Sequence, residues 1–144
     1  MEELIDFMHT NIVKDDVCII HFRVATHGLK DIGNRHPFPI TKNKELLRAP
    51  TSVCQLAMAH NGVMTQYGKD HKYSDTQKFI LDILSDDTIK DNIEKPAIMK
   101  LISYYLGGDR LIILNIKGDI FYWGDWVEED KVMYSNRSYS WTMY

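Results

Sequence analysis

The ten residues Val53-Cys54-Gln55-Leu56-Ala57-Met58-Ala59-His60-Asn61-Gly62 set the frame for the rest of the chain. Apolar side chains dominate as far as Ala59, which predicts a strand over 53–59 that Asn61-Gly62 ends in a turn. A helical pattern opens downstream at Ser74-Asp75-Thr76-Gln77. Ser74 reads as its N-cap and Gln77, three residues on, completes a capping box. Phe79, Ile80, Ile83 and Leu84 continue the pattern at helical spacing.

Outward from this frame the signals remain ordinary. Leu4, Ile5, Met8 and Ile12 predict an amphipathic helix over 3–12. Residues 17–24 are rich in β-branched and aromatic types and predict a strand, which leaves the sheet through Ala25-Thr26-His27-Gly28. Gly33, Pro37, Pro39 and Pro50 make 29–51 a loop. Pro96 fits the first turn of a helix with Ile98, Leu101, Ile102 and Tyr105 on one face, and Gly107-Gly108 stop it. A hairpin is expected over 110–123 around Lys117-Gly118, with a further strand near 131–135. The order α-β-β-α-α-β-β-β predicts a single α+β domain spanning 1–144.

Composition narrows the function classes. Seventeen Lys and Arg against twenty Asp and Glu give a formal net charge of -3, without the basic face that a nucleic-acid binder needs. Two cysteines do not make a disulfide framework; both are expected to be reduced core residues of a cytoplasmic protein. Met1-Glu2-Glu3 is unlike a signal peptide, and no apolar run approaches the roughly 18 residues of a membrane span. His21, His27, His36 and His60 lack the close spacing of metal ligands, so no metal or other cofactor is expected.

Three places carry groups suited to binding a small ligand. Arg23, at the end of its strand, suits a bidentate grip on a carboxylate or a pairing with an acidic side chain. Asn61 and Gly62 suit a tight turn with positive φ, or an oxyanion hole built from the Asn61 amide and the Gly62 N–H. Asp75 lies in a first helical turn, where it serves the helix dipole or holds an ammonium group.

Read together, the motifs resemble the class II glutamine amidotransferase domain, an N-terminal-nucleophile hydrolase. That family's pattern is H-x-R-x-A-T-H-G, then N-x-H-P, then H-N-G, then S-D-[ST] opening a helix. This chain has His21-x-Arg23-x-Ala25-Thr26-His27-Gly28, then Asn34-Arg35-His36-Pro37, then His60-Asn61-Gly62, then Ser74-Asp75-Thr76. The match runs from 17 to about 85 and is most similar to small, stand-alone members from bacteria and their phages. It implies a four-layered αββα sandwich. It also implies roles: Arg23 for the α-carboxylate of glutamine, Asp75 for its α-ammonium, Asn61 and Gly62 for the oxyanion, and Thr26 and His27 for the pocket wall.

The family's nucleophile is a cysteine exposed as the first residue, whose α-amine acts as base. This chain begins Met1-Glu2, with only twenty residues before His21. The expectation is a domain truncated at its N-terminus: a glutamine-like ligand pocket is retained and no catalytic residue is present. The lost strands are expected to leave a sheet edge covered by a second copy or a partner chain. Two alternatives stay open. One is an active amidohydrolase completed by an upstream segment or partner chain. The other is a protein-binding or regulatory module whose Tyr134, Tyr139, Trp141 and Tyr144 form a contact surface.

Overall fold

The computed structural model describes residues 2–22, 31–68 and 70–137. It is a mixed α+β arrangement with antiparallel sheets. The elements are α1 (Glu2–Asn11), β1 (Phe38–Pro39), α2 (Lys44–Leu47), β2 (Leu56–Asn61), α3 (Asp75–Phe79), α4 (Asp87–Lys90), α5 (Pro96–Leu106), β3 (Arg110–Asn115), β4 (Ile120–Trp123), β5 (Val127–Glu129) and β6 (Val132–Tyr134). α3 runs on into a π-helical turn over Ile80–Leu84.

The main sheet has the order β1-β2-β3-β4, and β5 and β6 form a separate hairpin. β2 is central, with Met58 opposite Ile113 and His60 opposite Leu111. Successive side chains alternate between faces. Phe38, Met58, His60, Leu111, Ile113 and Trp123 therefore share one face, and all are buried. The apolar members of this set pack with Phe79, Ile80 and Leu84 from the α3 segment and with Ile102 and Leu106 of α5. Each such side chain withdrawn from water contributes about 1.5–3 kcal/mol. Trp123 adds a polar tie, its Nε1–H donating to the Met99 carbonyl at 2.9 Å.

Local sequence signals account for most element ends. Ser74 and Gln77 make the reciprocal capping box, with Ser74 Oγ accepting from Gln77 N–H and Gln77 Oε1 accepting from Ser74 N–H. Pro96 occupies the first turn of α5, and Gly107 ends it at φ 63°. Gly118, at φ 87°, turns the hairpin between β3 and β4.

Four expectations are corrected. Residues 17–22, the described part of the predicted strand, belong to no sheet. Their apolar groups instead face α1: Leu4, Phe7, Met8 and Ile12 line a cavity of about 340 Å³ with 18–22. β-propensity supplies side chains that fit a pleated surface but not the neighbouring strand that a ladder requires. Cys18 is exposed rather than part of the core. On α5, Ile102 and Leu106 are buried while Leu101 and Tyr105 are exposed, so the core-facing stripe is rotated from the predicted one. The loop expected over 29–51 also holds β1, α2 and a 3₁₀ turn at Ile32–Asn34.

Candidate functional site

β2 ends, and α3 begins, at one end of the main sheet. His60 is the side chain that joins them. It points to the helical side of the sheet and is 3% exposed. Its Nδ1 lies 3.0 Å from Thr76 Oγ1, and its Nε2 lies 3.1 Å from Asp109 Oδ2. Burial pushes the His60 pKa below its ordinary value, against the opposing pull of Asp109 and, more weakly, Asp75. The ring is therefore neutral at neutral pH and carries one N–H. A carboxylate only accepts, so that proton is assigned to Nε2 facing Asp109, and Nδ1 accepts from the Thr76 hydroxyl.

Asp109 explains the glycine beside His60. A Cβ on residue 62 would overlap the Asp109 carboxyl group. Gly62 is absent from the positive-φ glycines, as Asn61 is from the positive-φ residues, so neither is needed for left-handed backbone. The expectation of a positive-φ turn is corrected: glycine stands here because a carboxylate passes close to its Cα. Among the described residues, the Gly62 N–H has no acceptor.

Asn61 sits on the opposite face of β2 from His60. Its Nδ2 donates to Ser135 Oγ at 2.7 Å, leaving a second amide hydrogen for another acceptor. Ser135, just after β6, was missed by the sequence reading because only tertiary folding brings it to Asn61. Asp75 is partly buried. Its Oδ2 accepts from Met64 N–H at 2.7 Å and its Oδ1 from Thr76 N–H at 2.7 Å. It thus fastens the turn after β2 to the start of α3, while a carboxylate retains further lone pairs for a ligand.

The N-x-H-P stretch approaches the same helix start from the other side. Gln77 is fully buried and its Nε2 donates to the Gly33 carbonyl at 2.6 Å. Arg48 donates to Asp31, to Asn34 Oδ1 and to the Lys72 carbonyl, tying the segment before Asn34 to the one before Ser74. The Gly33 N–H, and then Arg48, hold the Asp31 carboxyl below the usual carboxylate range. His36 packs between His21, at 4.3 Å between ring centroids, and Phe38, at 4.5 Å.

Arg23, Thr26 and His27 lie outside the described residues. The structure brings Asn61, Gly62 and Asp75 to one end of the sheet; His60, Thr76, Asp109 and Ser135 join them without having been assigned roles. Cys54 is half-buried, and burial pushes its thiol up, away from the reactive thiolate. No cluster of His, Cys, Asp and Glu among the described residues is arranged to hold a metal. No described helix is long and apolar enough to cross a membrane. No protein-family model, curated protein or solved structure matches this chain.

Proposed function

We propose that this chain is a class II glutamine amidotransferase-like domain on an N-terminal-nucleophile hydrolase type of framework, and that it binds a glutamine-like amino acid. The observation that carries the reading is convergence. Two direct contacts join motifs, His21 on His36 and His60 on Thr76, and a hydrogen bond between Gly33 and Gln77, the residues immediately flanking the second and fourth motifs, links the two pairs. Motifs that merely mark unrelated turns have no reason to meet. The Gly62 N–H, unpaired among the described residues, and the second Asn61 amide hydrogen are the donors that an oxyanion or a side-chain carbonyl would take. Asp75 would hold the α-ammonium, Arg23 the α-carboxylate, and Thr26 and His27 would complete the wall.

The reading assigns binding, not hydrolysis, to these residues. Cys18 lines the cavity beside α1, and Cys54 has a raised pKa, so neither is given the role of nucleophile. Calorimetry with L-glutamine and with glutaramate, which lacks the α-ammonium, tests it. Glutamine should bind with a Kd of about 1 mM, corresponding to about 4 kcal/mol. Glutaramate should not bind measurably, and Arg23→Ala should weaken glutamine about tenfold or more. Equal binding of the two compounds, or no saturable binding of glutamine, would overturn the proposal. Glutaminase activity that persists in the Cys18→Ser/Cys54→Ser variant would leave the pocket assignment intact and place the nucleophile elsewhere.

A further inference from the structure

Three buried or partly buried groups beside the proposed pocket would not touch a ligand, yet they end on one that would. From Asp109 Oδ2 the path runs 3.1 Å to His60 Nε2, then 3.0 Å from Nδ1 to Thr76 Oγ1, then 3.4 Å to Asp75 Oδ1. We propose that Asp109, His60 and Thr76 form a positioning relay ending on Asp75, through which a proton taken up by His60 weakens the hold of Asp75 on an ammonium-bearing ligand. The ligand half of this inference rests on the proposed function; the relay itself does not.

Hydrogen-bond bookkeeping gives the mechanism. With His60 neutral, Thr76 has one hydroxyl hydrogen and gives it to Nδ1, the nearer acceptor. Once Nδ1 carries a proton it can no longer accept. The Thr76 oxygen must then accept from Nδ1, and its hydrogen turns toward Asp75 Oδ1. Asp75 Oδ1 already takes the Thr76 N–H, and Oδ2 takes the Met64 N–H. A third donor uses acceptor capacity that an ammonium group would need, and the imidazolium adds like charge nearby. Both effects oppose binding of a cation at Asp75. Thr76 and Asp75 face His60 from α3, and Asp109 faces it from the residue just before β3.

By linkage, an ammonium ligand would in turn lower the proton affinity of His60. Nothing in glutamine titrates between about pH 5.5 and pH 7.5, so a change in affinity there belongs to the protein.

The relay is tested first without ligand, by NMR titration of the His60 ring nitrogens and the Asp75 side-chain carboxyl carbon. Nε2 should carry the proton above the His60 transition, and the Asp75 carbon should show an inflection at the same pH. Thr76→Val, which keeps the shape and removes the hydroxyl, should abolish that inflection while His60 still titrates. An Asp75 signal that ignores His60, or follows it unchanged in Thr76→Val, overturns the relay. Glutamine affinity should be about fivefold weaker below the His60 transition than above it, and nearly level across that transition in Thr76→Val. Glutamine that binds without this pH dependence overturns the coupling. Absence of any glutamine binding overturns the proposed function instead, and the ligand-free titration still decides the relay.

Discussion

Substituting Gly62 by alanine tests the closest approach in the structure. The new Cβ would occupy the space of the Asp109 carboxyl group, and the 26% exposure of that side chain gives it room to swing toward solvent. Steric strain is therefore relieved cheaply, but the hydrogen bond to His60 Nε2 is lost. The His60 side chain is only 1% exposed, so water cannot replace Asp109 without further opening. An unsatisfied buried donor costs about 1–3 kcal/mol. Alanine recovers about 0.4–1 kcal/mol by restricting the unfolded chain, since residue 62 has no positive φ to preserve. Gly62→Ala should thus lower stability by roughly 1.3 kcal/mol at mid-range and by at most about 2.6 kcal/mol, the difference between those two contributions. Asp109→Ala should cost about 1–3 kcal/mol for the same lost bond.

The pair is then strongly coupled. In the Asp109→Ala background the three atoms nearest the new Cβ are gone, so Gly62→Ala should be neutral or stabilising by up to about 1 kcal/mol. Urea unfolding of the wild type, both single variants and the double variant measures the cycle directly. Thermal midpoints should follow at about 2–4 °C per kcal/mol for a chain of this size. Additive losses in the double variant, or a Gly62→Ala protein as stable as wild type, would refute the account of why glycine is found at this position.

Two further outcomes follow from the same region. The unfolded His60 imidazole titrates near about 6.5 and the folded one lower, so between these values the unfolded chain holds the extra proton. This contribution to stability is complete above about pH 6.5 and is lost as pH falls through the folded pKa, with a slope of at most about 1.4 kcal/mol per pH unit. Urea melts at intervals from about pH 8 to about pH 5 should show it in wild type and not in His60→Gln; stability rising over that range as pH falls would contradict the burial argument. Ser74→Ala should cost about 1 kcal/mol through loss of the cap, and Gln77→Met distinctly more, because Gln77 also satisfies the Gly33 carbonyl. Chemical denaturation of the two variants checks the ranking, and the reverse order would count against Gln77 as the stronger tie.

The parts legible in the sequence are those fixed by neighbours. The Ser74–Gln77 box, the Pro96 start, the Gly107 stop and the Gly118 hairpin each depend on a few adjacent residues, and each stands where local chemistry places it. What local pattern could not supply was the identity of distant partners. Asp109 lies 49 residues from His60, and Ser135 lies 74 from Asn61. The apolar run at 17–22 has strand composition but meets α1, because whether a strand forms depends on what lies beside it. The π turn at 80–84 carries no distinctive residue type. It places Leu84 and Ser85 in the interior beside Ile80 and leaves Ile83 only partly covered.

The ties gathered on the first turn of α3 also bear on the order of assembly. They close sequence separations of 11 residues for Met64 with Asp75, 16 for His60 with Thr76, and 44 for Gly33 with Gln77. Each loop loses entropy before its contact gives anything back, so the longest closures are last to become favourable. This turn is a keystone set after the arch: substitutions in it should accelerate unfolding and leave the rate of folding nearly unchanged. How long the domain holds its shape would then be governed at the same few residues that form the candidate pocket.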